Sequence, residues 1–210
     1  MYDLPHHKEK DHEAIIQFMK DHPFVFLTGS GADKRPVATQ VPVFIDEKEG
    51  KYFLTGHIMR NTDHHKAFEQ NKNVLAVFTG PHTYISATWY TKPVGSTWNY
   101  MSVHAKGTIR FGDTNELISI LKRLTLHYEN NNSASATVFD NLPVEYTEKK
   151  MKAIVPFEIE INDLQHVFKL SQDRDEKSYD NIIQQLKQKD GDAKTIAAIM
   201  EKRKSKVFPS

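Results

Sequence analysis

The sequence predicts a mainly β fold with flanking helices, in which closely spaced strands form an antiparallel barrel. Six strand candidates follow one another without long intervening helices, which is typical of antiparallel barrels rather than parallel α/β sheets. No internal repeat, low-complexity tract or long linker interrupts the 210 residues, so we expect one continuous core. We therefore predict a barrel domain with inserted helices over residues 1–168 and a helical extension over residues 169–210 packed on it.

The first helix is predicted near the amino terminus. Asp11 is a suitable N-cap residue, and Ile15, Ile16 and Met19 form one apolar stripe. Pro23 disfavours helix in the residue before it, so we expect the helix to end there.

The strand candidates are short apolar or alternating segments separated by turn residues. A Gly-rich turn at residues 29–33 predicts a hairpin between the first two, and Pro42 predicts an edge or a bulge because it lacks a ladder donor. Gly80 and Pro81 predict a turn between the fourth and fifth. The six strands are predicted at residues 24–27, 36–45, 52–55, 74–79, 83–89 and 98–110, and alternation over residues 155–161 adds a last strand.

Helical periodicity dominates the rest of the chain. A short helix through Ala67 and Phe68 precedes the break at residues 71–73, and apolar residues at three- and four-residue steps predict an amphipathic helix over residues 117–128. The last forty residues predict two polar helices that are divided near residues 190–192.

Composition excludes several classes of protein. The chain has no cysteine, which excludes disulfides, thiolate metal sites and cysteine nucleophiles. Its formal net charge of +1 gives little general attraction to nucleic acid. Apolar stretches reach only about five residues, far short of the roughly 20 that span a bilayer. The amino terminus does not resemble a signal peptide, so we expect a cytoplasmic protein.

The segment from Thr55 to Lys66 is a candidate anion site. A strand end, a glycine turn and a helix start bring free backbone N–H groups toward Arg60, Asn61 and Thr62, an arrangement that suits a phosphate. A solvated helix cap with ordinary surface charges is the alternative, and this segment alone favours it.

Aromatic residues are concentrated in residues 81–90 and 97–104. Both tryptophans lie within ten positions there, and Trp98 shares one strand face with Tyr100 and His104. This composition suits a flat conjugated ligand that needs stacking and a few directed hydrogen bonds. A barrel core in which large side chains simply pack is the alternative.

Other chemistries lack their motifs. His64 and His65 are adjacent and cannot both face one site on a helix, so we expect no metal site. The sequence lacks the Gly-x-Ser-x-Gly turn of hydrolases, and it also lacks the glycine-rich loops that bind nucleotides in other folds. No catalytic residue is assigned.

Several motifs together resemble the PaiB-type negative transcriptional regulators. The resemblance covers nearly the whole chain in order, and the Gly-Pro-His-x-Tyr-Ile-Ser and Thr-Trp-Asn-Tyr blocks are its specific parts. The matching segments are 38–42, 54–57, 80–90, 97–100 with 103–104, and 169–172.

The resemblance implies a six-stranded antiparallel Greek-key split β-barrel of the FMN-binding, pyridoxamine-phosphate-oxidase-like type. It further implies a homodimer with FMN at the subunit interface. The Ser-Arg-Lys run of the oxidases is replaced here by Thr62-Asp63-His64. The cofactor-binding residues that we expect on this basis are Thr39, Gln40, His57, Arg60, Asn61, Thr62, His64, Trp98, Asn99, His104 and Gln172.

The resemblance leaves several functions open. The main hypothesis is an FMN-binding redox or regulatory protein, of which an FMN-dependent oxidoreductase is one form. The alternatives are a haem-binding split barrel, since several histidines could serve as an axial ligand, and a regulator that binds DNA directly without flavin chemistry. The basic residues between Lys187 and Lys206 favour DNA, but a basic terminal helix is usually a solvated face.

Overall fold

The computed structural model describes residues 1, 2 and 4–209, and within them the chain forms seven strands and six α-helices. The strands are β1 (Phe24–Ser30), β2 (Pro36–Pro42), β3 (Phe44–Lys48), β4 (Lys51–Met59), β5 (Asn73–Ile85), β6 (Thr97–Phe111) and β7 (Ile154–Lys169). The helices are α1 (His12–Asp21), α2 (Asp63–Gln70), α3 (Thr114–Tyr128), α4 (Val144–Met151), α5 (Glu176–Lys187) and α6 (Asp192–Val207). Short 3₁₀ turns lie at Pro5–His7, Ala87–Trp89 and Phe139–Asn141.

The strands form one sheet in the order β2-β1-β5-β6-β7-β4-β3. β1 pairs antiparallel with β2 and β5, and β4 pairs antiparallel with β3 and β7. The β3–β4 hairpin closes through Glu49 and Gly50, both at positive φ, which matches the twist of a two-residue hairpin turn.

Two compact units divide the chain. Residues 1–22, 78–104 and 165–210 form unit 1, and residues 23–77 and 105–164 form unit 2. β5, β6 and β7 contribute residues to both units. The division that the sequence predicts at residue 168 stays a prediction.

Each unit has its own buried apolar residues. In unit 2 these come from both faces of the sheet and from α2, with Leu27, Leu54, Phe68 and Phe157 almost fully buried. In unit 1, α5 and α6 pack on each other around Tyr179, whose hydroxyl donates to the Met200 carbonyl oxygen at 3.0 Å.

Local signals locate most helices correctly. Asp11 caps α1 through its carboxylate, which accepts the Glu13 and Ala14 N–H groups, and α1 ends before Pro23. α2, α3 and the divided pair α5 and α6 lie where the periodicity predicts them. The sequence did not predict α4. Seven of its eight residues are not fully buried, so it lacks the apolar stripe by which a helix is recognised in a sequence.

The predicted strand over residues 36–45 is wrong as one element. The chain leaves β2 at Pro42 and enters β3 at Phe44, and these strands lie at opposite edges of the sheet. Between them the buried Val43 donates its N–H to the Pro23 carbonyl oxygen at 2.9 Å. The missing donor of Pro42 thus marks the end of an edge strand.

The predicted turn at Gly80 and Pro81 is also wrong. β5 continues through both residues to Ile85, and the predicted strand end at Trp89 is a 3₁₀ turn instead. A Cβ on Gly80 would lie 2.5 Å from the Phe18 ring, so glycine is present because an aromatic ring packs against the backbone. One predicted strand is divided into β2 and β3 and two others merge into β5, so with β7 the described residues form seven strands where the resemblance implies six.

Candidate functional site

The segment from His57 to Lys66, which we term the anion segment, joins the end of β4 to the first turn of α2 in unit 2. Thr62 caps α2: its hydroxyl accepts the His65 N–H at 3.3 Å and donates to the Met59 carbonyl oxygen at 3.1 Å. Asn61 has a left-handed backbone with a φ of 62°, and its N–H donates to His65 Nδ1 at 3.2 Å. The conformation of this turn is therefore fixed by its own side chains.

Arg60 is exposed, yet its position is fixed. Its backbone N–H donates to the Ala153 carbonyl oxygen and its Nε–H donates to the Ile154 carbonyl oxygen, both at 2.8 Å. Among the described residues, no carboxylate lies within salt-bridge distance of the guanidinium group. Both Nη groups therefore keep their donors for a ligand.

His64 bridges two oxygen atoms of the same turn. Its Nε2 lies 3.0 Å from Thr62 Oγ1 and its Nδ1 lies 3.1 Å from Asp63 Oδ1. Hydrogen bonds from the backbone and ring of His64 lower the pKa of Asp63, which keeps that carboxyl ionised.

The other two histidines of the anion segment are uncharged at neutral pH. Burial lowers the pKa of His57. Burial also lowers the pKa of His65, which packs edge-on against Phe111 with ring centroids 4.8 Å apart. Arg60 and Lys66 are thus the permanent cations of the anion segment, and the residues around Arg60 fit a phosphate at its outer edge.

The other predicted residue pair of unit 2 lies on the edge strand β2. Thr39 is half-buried and Gln40 is exposed, and they face opposite sides of the sheet opposite Leu27 and Phe26. Among the described residues, neither side chain forms a hydrogen bond or an ion pair, and their part in cofactor binding stays a prediction.

Unit 1 holds the predicted aromatic residues around an open groove of about 370 Å³, which we term the aromatic cleft. Trp98 is 53% exposed, and Tyr84 meets it edge-on at 6.1 Å between ring centroids. His82 and Tyr100 complete the aromatic lining, and His104 lies half-buried farther along β6. The groove offers an aromatic surface of the kind that a conjugated ring uses for stacking.

Two other predicted residues of unit 1 are engaged in holding a turn. Asn99 is fully buried, and its Oδ1 accepts the Ser171 hydroxyl at 2.9 Å. Gln172 accepts the Leu170 N–H and donates to the Phe168 carbonyl oxygen, both at 2.6 Å. Their part in cofactor binding stays a prediction, and these contacts give each of them a structural task.

The sequence did not predict the contact between Tyr90 and Arg174 in unit 1. The Arg174 guanidinium lies 4.8 Å from the centroid of the Tyr90 ring. The two residues stand 84 positions apart in the sequence, and no local pattern links them.

The sequence also did not predict a larger cleft in unit 2. This charged cleft, of about 560 Å³, lies beside α3 and contains three cations and four carboxylates. Arg123 binds both oxygens of Asp46 at 2.8 Å, Arg110 binds Glu116 and Glu158 at 2.8 Å, and Lys48 binds Glu158 at 2.5 Å. Its partners are as much as 110 positions apart, so spacing gives no signal for it.

The described residues contain neither a metal-binding cluster nor a membrane-spanning helix. Residues 1, 2 and 4–209 contain no group of three or more His, Asp or Glu side chains able to hold a metal ion. Within the same residues, no helix has the length and apolar character needed to cross a membrane.

Residues 1–163 match the family model described as "Putative FMN-binding domain". The chain belongs to this FMN-binding domain family. Over 209 residues it is 34% identical to "Protease synthase and sporulation protein PAI 2" of Bacillus subtilis, covering 98% of this chain and 99% of that one. An uncharacterised protein of Emericella nidulans is 28% identical over 246 residues, covering 97% of each.

Two solved structures of other proteins resemble the fold of this chain. A conserved hypothetical protein from Mycobacterium tuberculosis has a TM-score of 0.57 at 11% identity, covering 80% of this chain and 90% of that one. The FAD and haem binding protein from Mycobacterium smegmatis has a TM-score of 0.53 at 14% identity, with coverages of 77% and 72%.

These comparisons confirm three predictions from the sequence: the resemblance to the PaiB-type regulators, the split-barrel fold class and FMN as the cofactor. The chain is an FMN-binding split-barrel protein. Which residues hold the FMN stays a prediction.

Proposed function

We propose that this chain is a flavin-dependent redox or regulatory protein that holds the FMN phosphate on the anion segment. The flavin supplies electron transfer when bound, and the protein supplies position and charge. The observation that carries the proposal is Arg60, whose guanidinium is fixed by two backbone contacts while both Nη groups remain available.

The test compares FMN with riboflavin, which has the same ring but no phosphate. Arg60→Ala should weaken FMN by about 2 to 3 kcal/mol, or about 30- to 150-fold in Kd, because a charge-assisted hydrogen-bond pair is lost. Riboflavin should bind with unchanged affinity. Fluorescence titration of both flavins measures the difference.

A control sharpens this test. Arg35→Ala removes one charge from an exposed turn of the same unit, where Asp33 at 3.6 Å is its ion-pair partner among the described residues, and should leave both affinities unchanged. Equal loss of both flavins in Arg60→Ala would contradict the phosphate assignment.

We also propose a homodimer with flavin at the subunit interface. Large apolar side chains exposed in the single chain support it: Phe24 is 59% exposed, Phe26 48% and Trp98 53%. Light scattering should give twice the 24.2 kDa of one chain. A stable monomer at micromolar concentration would contradict this proposal.

The Bacillus subtilis relative is named for protease synthesis and sporulation. We propose a regulatory role in the cytoplasm for this chain, exerted through flavin or protein contacts rather than through direct DNA binding. Part of the basic charge at the end of the chain is paired internally, since Lys204 lies 2.7 Å from Asp180 and Lys187 lies 2.7 Å from Glu201. Haem remains the competing cofactor hypothesis. An absorption spectrum of the purified protein, with flavin bands or a Soret band, separates the two.

A further inference from the structure

Residues 5–11 and the carboxyl-terminal end of α6 line a cleft of about 460 Å³ in unit 1, which we term the cationic cleft. Its volume falls within the range of about 300 to 1,000 Å³ that is common for small-molecule sites. Among the described residues that line it, four carry a permanent positive charge and two carry a carboxylate: Lys8, Lys10, Arg203 and Lys206 against Glu9 and Asp11. Positive charge is therefore in excess here, in a chain whose formal net charge is only +1.

Both carboxylates of the cationic cleft are engaged by contacts within the chain. Glu9 is buried; its Oε1 accepts the N–H groups of Lys10 and Asp11 at 2.9 and 3.0 Å, and its Oε2 lies 2.5 Å from Arg203 Nη1. Burial acts to raise the pKa of Glu9, but these hydrogen bonds outweigh it and the pKa is lowered, so the carboxyl is ionised at neutral pH. The Asp11 carboxylate caps α1. Glu9 thus neutralises Arg203, and Asp11 serves the helix.

Lys10 and Lys206 are the cations of the cleft that are open to a ligand. Among residues 1, 2 and 4–209, no carboxylate lies within salt-bridge distance of either ammonium group, and both residues are exposed. Lys204 on the same helix shows the opposite case, because it lies 2.7 Å from Asp180. The cleft therefore presents two unneutralised ammonium groups at one recess.

Contacts to β7 and α6 fix the amino-terminal wall of the cationic cleft. The Glu9 N–H donates to His166 Nε2 at 2.9 Å, and the Lys8 ammonium group donates to the His166 carbonyl oxygen at 3.3 Å. Arg203, which holds the Glu9 carboxylate, also lies over the Phe168 ring at 5.7 Å from its centroid. Because this wall is held before a ligand arrives, binding needs little ordering of the chain.

The charge and shape of the cleft select a small anion with more than one negative charge. Each ammonium group donates hydrogen bonds and carries a full positive charge, so two of them match two anionic oxygen groups. A nucleic acid would need a longer line of unpaired cations than this recess offers. We propose that the cationic cleft binds a small molecule with two or more negative charges, such as a tricarboxylate or a pyrophosphate, at a site separate from the flavin.

Calorimetric titration of the full chain with inorganic pyrophosphate and with citrate tests this proposal. We expect one equivalent of at least one probe to bind saturably, with an affinity that falls as salt is added. Lys10→Gln and Lys206→Gln should each weaken binding about three- to fivefold, because each removes one exposed charge contact, and the double variant should weaken it about ten- to 25-fold. Absence of saturable binding of both probes would overturn the proposal.

Asp11→Asn separates a binding role from a structural one. Asparagine caps a helix about as well as aspartate, so α1 keeps its cap while one negative charge leaves the cleft. The Tm should change little, and the bound probe should bind about two- to fivefold more tightly. Unchanged or weaker binding in this variant would contradict the proposal, because a purely structural role of the cleft gives no reason for affinity to rise.

Lys194→Gln is the matched control for charge. Lys194 is exposed on α6, as Lys206 is, but about 18 Å of helix separates them, more than the Debye length of about 8 Å at physiological salt. The control should leave binding of both probes unchanged. An equal loss in Lys194→Gln and Lys206→Gln would reduce the effect to general electrostatics and overturn the proposal.

Flavin and DNA titrations test whether the cleft serves another ligand. Saturating FMN should leave the affinity for the probe unchanged, and Lys206→Gln should leave FMN affinity unchanged. Loss of FMN but not riboflavin affinity in Lys206→Gln would give the cleft to the flavin phosphate, and binding of a DNA duplex that depends on Lys10 and Lys206 would give it to nucleic acid; either result would overturn the proposal. Loss of probe binding in Arg60→Ala would likewise place the anion on the anion segment instead.

Discussion

The anion segment and the charged cleft are both rich in charge and both lie in unit 2, yet they differ in what their cations are doing. In the charged cleft, Lys48, Arg110 and Arg123 each contact carboxylates at 2.5 to 2.8 Å. In the anion segment, Arg60 is held by backbone carbonyl oxygens and keeps both Nη groups available. Under the proposed assignment, unused donors, rather than cavity size or the number of cations, distinguish the anion segment from the charged cleft.

The carboxylates of the charged cleft reinforce this contrast. Burial acts to raise the pKa of Asp46, but hydrogen bonds from Arg123 and Thr55 outweigh it and the pKa is lowered. The same opposition, with Lys48 and Arg110 as donors, lowers the pKa of Glu158. Both carboxyls are ionised at neutral pH, so an entering anion would meet negative charge and would have to break existing ion pairs.

The largest effect expected from this comparison is on stability. Arg110→Ala leaves Glu116 and the mostly buried Glu158 with fewer partners, which should lower the free energy of unfolding by about 1 to 2 kcal/mol. This cost in unfolding free energy stays modest because the Arg110 side chain is 51% exposed and solvent screens its ion pairs. Urea denaturation measures it. FMN affinity should not change, and a loss like that of Arg60→Ala would contradict the contrast.

The control for Arg110→Ala is another exposed pair in the same unit. Lys106 lies 2.9 Å from Asp163, with both side chains about half exposed. Lys106→Ala should therefore cost between about 0 and 1 kcal/mol. An equal cost in the two variants would mean that the charged cleft contributes no more than an ordinary surface ion pair.

A smaller effect is expected within the anion segment. Thr62→Ala removes the α2 cap and should lower the free energy of unfolding by about 1 kcal/mol. Because the Thr62 hydroxyl also contacts Met59 and His64, FMN should weaken by a few-fold, less than in Arg60→Ala. Thr62→Ser keeps the hydroxyl and should restore both properties. Failure of serine to restore FMN affinity would assign the effect to the methyl group instead.

The anion segment could be located from the sequence because its determinants are local. A strand end, a glycine and a capping residue stand within eight positions, and the cap and the arginine are visible in the sequence. Its hydrogen bonds to Ala153 and Ile154 were not visible, since they join residues more than ninety positions apart.

Errors in the fold have the same origin. Pro42 and Gly80 are local signals of interruption, and their meaning depends on what lies opposite them. Val43 leads the chain from one sheet edge to the other, while Phe18 packs over Gly80 and leaves β5 intact. Likewise no sequence pattern links Tyr90 to Arg174, because the hydrogen bond from the Thr91 hydroxyl to Asp175, which holds their neighbouring residues together, joins two distant segments.

The smallest expected effect is a change with pH in the cost of Arg110→Ala. The pKa values of Glu116 and Glu158 are lowered in the folded state, so each stabilises the fold above its ordinary pKa of 4.5 and loses that contribution as pH falls through the lowered value. Once the pH has fallen through these lowered pKa values, the carboxyls are uncharged in the wild type as well as in Arg110→Ala, so the gap between the two chains should narrow, by about 1 kcal/mol or less. Ile58→Val is the matched control: it removes one buried methylene at a cost of about 1 kcal/mol without touching a charge, and its gap should stay constant with pH. Urea denaturation of the three chains at pH 7 and at the lowest pH where all remain folded tests this. A constant gap for Arg110→Ala would mean that its guanidinium stabilises the fold by packing rather than by pairing with carboxylates.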